Sequence, residues 1–428
     1  MAKQYKQVLL QNRKPDRIAT LDEYRQSGGY QALTDALKDY SHKDVQKAVM
    51  DANLLGRGGA AFPTGMKLGS VADDAEFPRY IICNADEMEP GTFKDRVLIH
   101  ADPHMLIEGI VIAGYASLAE KGIIFIRPEY ENAARILERE IEIARREGYL
   151  GRNILGSNYS LELVVHRSAG RYICGEVTAQ LNALMGKRPN PMKPPPYPTE
   201  KGLWDKPTVL SNVETYACLP HIIRNGGQWF KDLALTEKGA GTKIFGVSGK
   251  VNKPGCYELP MGVRLSEIIE EHAGGMLEGS EYKACLPGGA STGFLPKTHY
   301  DIQMDFQALR DVGNRLGTGA IMVFDHKTCL VGATVNLLEF FARESCGWCT
   351  PCREGLPYIL DLLRRIEDGR GEPEYVPMIE RMCKYLWNAY CAFAPGAVAP
   401  VESLLKNFRD EIEEHIEQQT CPFKNNDA

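Results

Sequence analysis

The sequence predicts three successive units: βα repeats on a largely parallel sheet, then a small α+β unit, then a C-terminal helical bundle. Three observations predict it. Between about Pro78 and Glu147, short apolar runs alternate with amphipathic stretches. From about Thr242 to Phe324 the runs shorten and are bounded by turn residues. Beyond Thr328 nearly every segment has helical spacing. A chain of 428 residues also exceeds one ordinary domain of about 100–200 residues.

The elements follow in order. DVQKAVMDANLL reads as a helix ahead of a glycine-rich loop, and RYIICNAD as a strand running into a loop. His104–Ala119 reads as an apolar-faced helix and GIIFIRP as a second strand. ENAARILEREIEIARRE follows with Ala134, Ile136, Leu137, Ile141 and Ile143 near helical spacing. LELVVHR fits either a third parallel strand or a β-ribbon. The run KRPNPMKPPPYPTEKGLWDKP, Lys187 to Pro207, is too proline-rich for helix or central strand and predicts an extended segment over a surface. KIFGVSGKV, the turn Asn252–Gly255 and CYELP read as a hairpin, followed by the helix SEIIEEHAG and the strands YKACLPGG and GAIMVFD. Four amphipathic helices then suggest a bundle: VGATVNLLEFFARES, PYILDLLRRIEDG, EYVPMIERMCKYLWNA and VESLLKNFRDEIEEHIEQ. The expected units are 1–240, 241–328 and 329–428.

With 50 Lys+Arg against 56 Asp+Glu the net charge is −6, and no long basic block exists, which argues against nucleic acid as partner. The most apolar stretch, MLIEGIVIAGYASL, contains Glu108 and is shorter than the roughly 18 apolar residues of a membrane span. A role at a membrane is therefore expected only through partner proteins. The start MAKQYKQVLL lacks the apolar core of a signal peptide, so a cytosolic, reducing setting is expected. Twelve cysteines in a chain this long then point to metal binding or redox chemistry rather than a disulfide scaffold.

Four constellations carry chemistry. Cys346-Gly-Trp-Cys349-Thr-Pro-Cys352 has the C-x2-C-x2-C spacing of three ligands to a cubane iron–sulfur cluster, with Cys391 as a distant fourth and Pro351 expected to keep the loop non-helical. A structural zinc site is the alternative, although no second C-x2-C pair is present. Cys383 competes for the fourth position but falls inside a periodic helix. The loop from Leu55 to Lys67 contains Gly56, Gly58 and Gly59, which allow close backbone approach, and Lys67 can supply charge to a phosphate. Its spacing satisfies a dinucleotide fingerprint, but a helix, not a strand, precedes it. Asn84-Ala-Asp86-Glu87-Met-Glu89-Pro-Gly-Thr-Phe-Lys94-Asp-Arg96 lies at the end of a predicted strand, where ligands of open α/β sheets gather. Gly170-Arg-Tyr172-Ile-Cys-Gly175-Glu176-Val177-Thr178 is a turn leading into a helix N-terminus. Each of the last three, taken alone, also fits an ordinary loop.

Together and in this order the strings GRGGAAFPTG, NADEMEPGTFKDR, GRYICGE, GLWDKPTVLSNVET and ESCGWCTPCREGLP closely resemble the flavin- and NADH-binding subunit of respiratory complex I (the F subunit of bacterial NADH:quinone oxidoreductase, the 51 kDa-type subunit). The resemblance covers essentially the whole chain. It implies a Rossmann-like FMN domain, a small β-grasp (ubiquitin-like) domain and a four-helix bundle holding one [4Fe–4S] cluster. It implies hydride transfer from NADH to FMN and single electrons onward to the cluster and toward quinone. Gly58, Gly59 and Lys67 would hold FMN and nucleotide; Asn84, Asp86 and Glu87 the flavin and ribityl chain. Tyr172, Gly175, Glu176, Asn212 and Thr215 would complete the flavin site. Phe62 and Tyr197 resemble the rings that stack on the NADH adenine, and Glu89 would line the nicotinamide pocket. Cys346, Cys349, Cys352 and Cys391 would ligate the cluster. A thioredoxin-fold [2Fe–2S] subunit and a larger iron–sulfur subunit are the implied partners, in the cytoplasmic peripheral arm of an inner-membrane complex.

One departure is informative. The family typically has Gly-Glu-Glu where this chain has Gly175-Glu176-Val177. An acidic residue there accepts from the adenosine ribose and repels the 2′-phosphate of NADPH, so Val177 implies relaxed discrimination unless a neighbour such as Glu89 compensates. Leu55, Ala61 and Ser211 are milder departures. Related flavin subunits of NAD-linked hydrogenases and formate dehydrogenases are the alternative within the class, and a scaffold without its nucleotide site is the alternative outside it. Cys83 and Cys174 flank flavin-site strings, and Cys218, Cys256, Cys285, Cys329, Cys383 and Cys421 are expected to be ordinary thiols.

Overall fold

A sheet of four parallel strands carries the first unit: β1 (Tyr80–Ala85), β2 (Lys121–Ile126), β3 (Glu162–Arg167) and β4 (Thr208–Asn212), in spatial order β3-β2-β1-β4. The computed structural model describes residues 3–424, so residues 1–2 and 425–428 of the outer two expected units lie outside it. The LELVVHR segment is a parallel edge strand rather than a ribbon. β4 has no counterpart among the expected strands, because its five residues follow directly on the proline-rich run.

Helices cover the sheet. Pro103–Ala116 is buried on nearly every side, starting at Pro103 behind Asp102, whose carboxylate accepts from the Met105 N–H at 3.2 Å. Its one carboxylate, Glu108, is satisfied: it accepts from the Tyr24 hydroxyl and from the backbone N–H groups of Tyr30 (2.8 Å) and Leu33 (2.9 Å). Those amides open the helix Gln31–Asp39, whose N-cap Tyr30 offers no side-chain acceptor, so Glu108 caps it from a neighbouring helix. Among the described residues no single helix is long and apolar enough to cross a membrane. Glu131–Arg146 buries Ala133, Ala134, Leu137, Ile141 and Ala144, and its one buried charge, Glu140, is paired with His104 at 3.0 Å.

The second unit is a five-stranded mixed sheet: β5 (Thr242–Gly249), β6 (Gly255–Pro260), β7 (Tyr282–Leu286), β8 (Leu295–Pro296) and β9 (Ala320–Asp325), ordered β6-β5-β9-β7-β8. β5 and β6 form the expected hairpin, and β9 runs parallel to β5 in the middle. The N-terminal segment crosses to this unit. The backbone N–H groups of Val8, Leu9 and Leu10 all donate to the Glu258 carboxylate in β6 at 2.8–3.0 Å.

The last unit departs from the expected four helices. Among the described residues five are present: Leu330–Glu344, Thr350–Glu367, Tyr375–Leu386, Phe393–Asn407 and Arg409–Gln418. The segment read as one helix from Val401 to Gln418 breaks at Phe408 (φ −141°, ψ 34°), and its first half begins earlier, at Phe393. Pro351 does not keep its segment out of a helix. It occupies the first turn of Thr350–Glu367, where a missing N–H is harmless, so the helix begins seven residues before the expected Pro357.

Candidate functional site

The carboxyl ends of β1 and β4 open onto a cavity of about 300 Å³. Asn84 and Asn212 close the two strands and knit them together. Asn84 Nδ2 donates to the Gly175 carbonyl (3.1 Å) and its Oδ1 accepts from the Asp86 N–H (3.1 Å). Asn212 Nδ2 donates to Asp95 Oδ2 (2.7 Å), while its Oδ1 accepts from Lys94 Nζ (3.1 Å) and the Glu214 N–H (3.1 Å). Gly58 and Gly59 form the facing wall. Gly59 has φ +113°, and a Cβ on Gly58 would come within 3.1 Å of Asn212 Cβ, so a side chain at either is disfavoured.

The carboxylates divide by what already holds them. Glu87 accepts from the N–H groups of Asp95 (2.8 Å) and Arg96 (3.3 Å) and from the Tyr130 hydroxyl (3.1 Å), and so caps the helix Lys94–Ala101. Glu89 accepts from the Tyr172 hydroxyl and the Ser291 N–H, both at 2.6 Å. Glu176 N-caps Val177–Leu184, accepting from the Ala179 N–H at 2.9 Å and the Thr178 hydroxyl at 2.6 Å. Asp86 differs, because both its carboxylate oxygens are buried without a partner. Burial, only partly offset by the nearby Ser168 hydroxyl and the Arg127 charge, neither of which makes a hydrogen bond of good geometry to it, pushes its carboxyl up to about 7. Burial and the neighbouring Asp95 also push Glu87 up to about 7.

This state of Asp86 has a consequence for stability. The folded chain retains a proton on Asp86 that the unfolded chain gives up above about pH 4, so folding is favoured at low pH and that contribution is lost as pH rises toward 7. Thermal melts of flavin-stripped protein from pH 4 to 8 should therefore fall less steeply in Asp86→Asn. An unchanged slope would show that Asp86 does not carry it.

Not every expected residue reaches the cavity. Gly58, Gly59, Asn84, Asp86, Glu87, Glu89, Tyr172, Gly175, Glu176 and Asn212 line it. Thr215 lies beneath the glycine loop, where its hydroxyl accepts from the Arg57 N–H at 2.8 Å. Lys67 stands behind the loop and donates to the Leu210 carbonyl at 3.0 Å; burial lowers its ammonium. Phe62 (48% exposed), with the Lys67 ammonium 5.6 Å over its ring, and Tyr197 (57% exposed) lie outside the lining. Val177 is the first residue of its helix, half-buried against the apolar cluster of the last unit.

The other two units complete the wall. Ser291, Thr292, Arg315, Gly317 and Thr318 come from the second, and Ala392, Phe393 and Gly396 from the third. The strings Gly288-Gly-Ala-Ser-Thr-Gly293 and Gly317-Thr-Gly319 carry the signal for the second unit, since glycines bracket hydroxyls there as they do in the first loop. Lys94, within the strand-terminal string but given no role there, is a buried cation. Burial alone would lower it, but Asp95 (2.6 Å), Glu214 (2.9 Å) and Glu87 outweigh that and raise it.

The cysteine loop adjoins this wall. Cys349 is the N-cap of Thr350–Glu367, Cys352 lies in its first turn, and Cys391 immediately precedes the cavity-lining Ala392 and Phe393. Burial, then the sulfurs of Cys349, Cys391 and Cys346, push the Cys352 thiol up to about 12. Anionic sulfur here therefore needs a strongly positive centre, which an iron–sulfur core supplies. Among the described residues, no three of these four cysteines have ligand atoms all within 4.8 Å of one another. A lone tetrahedral zinc with bonds of about 2.3 Å would draw sulfurs to about 3.8 Å, so the wider ring suits a cluster better than the zinc alternative.

A flavin fits the cavity on the same kind of ground. Two buried carboxylate oxygens lack donors, which ribityl hydroxyls supply, and the glycine walls leave room for a flat ring.

Fold and site thus define a class: an α/β nucleotide-cofactor unit with an adjoining cysteine centre for redox chemistry. Sequence comparisons narrow it. Family signatures match residues 49–221 as a Nuo51 FMN-binding domain, 244–295 as an SLBB domain and 332–415 as an NADH-ubiquinone oxidoreductase-F iron-sulfur binding region. The F subunit of NADH-quinone oxidoreductase of Salmonella typhimurium is 48% identical over 95% of this chain and 91% of its own. The second such F subunit of Rhizobium meliloti is 46% identical over 98% and 100%. The chain belongs to the family of NADH-quinone oxidoreductase F subunits. Among solved structures, NAD+-reducing [NiFe]-hydrogenase in its H2-reduced state superposes with a TM-score of 0.80 at 33% identity, covering 93% of this chain and 65% of that one.

Proposed function

We propose that this chain is the NADH-oxidising flavoprotein subunit of a respiratory NADH:quinone oxidoreductase. The observation that carries the reading is the junction of the cavity with the cysteine loop, where one residue separates Cys391 from the lining Phe393. When bound, FMN supplies hydride acceptance from NADH and stepwise electron release, and the [4Fe–4S] cluster supplies one-electron transfer. The chain's own part is positioning. The Gly58–Gly59 wall lets backbone approach the cofactor, Asp86 offers polar atoms to it, Asn84 and Asn212 brace the strand ends beneath it, and Thr215 holds the loop through Arg57. Phe62 and Tyr197 offer exposed faces for the adenine. Sheet order β6-β5-β9-β7-β8, with a helix after the first hairpin, supports a β-grasp reading of the middle unit.

Electrons require an outlet near the cysteine loop. Trp348 within it, and Tyr385 and Trp387 on the neighbouring helix end, are more than half exposed, a surface suited to an iron–sulfur partner. The thioredoxin-fold [2Fe–2S] subunit and the larger iron–sulfur subunit are the partners this reading requires, in a cytoplasmic peripheral arm. The hydrogenase or formate dehydrogenase alternative is less well supported, since relatives named as F subunits of the quinone oxidoreductase are 43–48% identical and the hydrogenase chain 33%. The test is the absorption spectrum of the purified protein with NADH and ferricyanide. Flavin bands, a broad iron–sulfur band and NADH-dependent ferricyanide reduction are expected; a protein without flavin overturns the reading.

Val177 sharpens the nucleotide question. The Glu89 carboxylate is oriented by the Tyr172 hydroxyl and the Ser291 N–H, each at 2.6 Å, toward the second unit's wall. Introducing an acid by Val177→Glu should raise the preference for NADH over NADPH by roughly 10- to 100-fold, the equivalent of a charged hydrogen bond. Steady-state kcat/KM for both nucleotides measures it, and an equal preference in the two proteins refutes the assignment.

A further inference from the structure

A second cluster of metal-ligand side chains lies away from the cysteine loop. Cys329, Glu367, His415 and Cys421 place one ligand atom each within 4.8 Å of all the others. They come from four separate places: the N-cap of Leu330–Glu344, the last residue of Thr350–Glu367, the helix Arg409–Gln418 and the segment beyond it. His415 and Cys421 are buried, and Phe423 stacks over the His415 ring at 6.3 Å.

The proton arrangement shows what the group lacks. His415 Nδ1 lies 2.7 Å from the Glu411 carbonyl, which fixes an N–H on that nitrogen. Nε2 then faces Glu367 Oε2, 3.1 Å away, with Cys329 Sγ at 3.3 Å; Cys329 Sγ is itself 3.1 Å from the same oxygen. Two acceptors face to face need a positive charge between them, a proton or a metal ion, and the two thiols converging on the same point favour the metal. A backbone carbonyl orienting the far nitrogen of a histidine is also the usual outer support of a metal-bound imidazole. Tetrahedral edges are about 3.3 Å between nitrogen and oxygen ligands and about 3.8 Å between sulfurs; the Cys329, Glu367 and His415 atoms, 3.1–3.3 Å apart, reach such geometry with small shifts, and Cys421 Sγ lies within 4.8 Å of all three.

We propose that Cys329, Glu367, His415 and Cys421 bind one zinc ion. Two thiolates, an imidazole and a carboxylate form a closed four-ligand set of borderline softness, which suits zinc and leaves no open position for catalysis. The ion is structural. It ties the end of the described chain to the first helix of the bundle and to the end of the second, so Cys329 and Cys421 are ligands rather than ordinary thiols.

The experiment measures zinc by plasma emission in the flavoprotein purified with its partner subunits, beside the double variant Cys329→Ser/Cys421→Ser. The wild type should contain one zinc per flavin more than the variant, with flavin content unchanged. Equal zinc in the two proteins, or no zinc in the wild type, overturns the proposal. Should the variant fail to accumulate, zinc-edge X-ray absorption on the wild type decides. Two sulfur and two nitrogen or oxygen neighbours support the site; four sulfurs, or no zinc edge, overturn it.

Discussion

Replacing Glu214 with Leu is expected to destabilise the protein by about 3–5 kcal/mol, the range for leaving a buried charge without its partner. Glu214 is fully buried and accepts from Lys94 Nζ (2.9 Å), Lys243 Nζ (3.0 Å) and the Ile244 N–H (2.9 Å). Burial would raise its carboxyl, but Lys243, Lys94 and Arg57 hold it down at about 2. In the variant Lys94 keeps Asp95, whereas Lys243 loses its carboxylate. Burial already lowers Lys243 to about 8 with Glu214 present, so without it the lysine must be neutral or solvated. Urea unfolding at pH 7 measures the loss, and Glu214→Leu/Lys243→Met should recover most of it, because an apolar pair replaces an ion pair. The sign with pH follows from the lowered carboxyl. Glu214 contributes its full stabilisation above about pH 4.5 and loses it as pH falls toward 2, so the gap between wild type and variant should narrow below pH 4.5. A gap that stays constant with pH would contradict this account.

The same residues show what could be read in advance and what could not. Strands β1 and β2 were legible because Ile81, Ile82, Ile123 and Ile124 form short apolar runs between helical patterns, the signature of a sheet covered on both faces. β4 was not, since five residues after a proline-rich run carry too little periodicity. The Phe408 break escaped for a different reason: apolar spacing continues across it, and only the backbone turns.

Within the site, legibility followed locality. Asn84, Asp86 and Glu87 are contiguous and strand-terminal, so their role near a ligand could be inferred from one segment. Ser291, Arg315 and Phe393 reach the cavity only because three units converge, which no single segment displays. Cys329, Glu367, His415 and Cys421 are the extreme case, four isolated residues that chain topology alone brings together. The spacing rules that reveal C-x2-C-x2-C are silent on such a set. Reading the carboxylates by residue type also hid a difference that hydrogen bonding exposes: Glu87, Glu89 and Glu176 are engaged by the protein itself, and Asp86 is left with unmet acceptors.

The second large effect separates Cys391 from Cys383. Cys391→Ser is expected to lower bound iron by about four atoms per chain, one cubane cluster, and to bring NADH-linked quinone reduction to background. Cys383→Ala should leave both intact. The distinction rests on placement. Cys383 is buried inside the helix Tyr375–Leu386 among apolar side chains, with its thiol pushed up to about 12 by burial and then by Glu402 and Glu380. Cys391 lies in the turn before Phe393, and its sulfur, with those of Cys346 and Cys349, is among the groups that act on Cys352. Removing a core thiol deletes one sulfur atom and leaves a minor void, whereas removing a ligand leaves three sulfurs unable to satisfy the cluster. Flavin content and ferricyanide reduction should survive Cys391→Ser, because a small soluble oxidant has no need of the cysteine loop. Iron lost from Cys383→Ala instead, with Cys391→Ser unaffected, would move the fourth ligand to the helix and undo the link between the cysteine loop and the wall at Ala392 and Phe393.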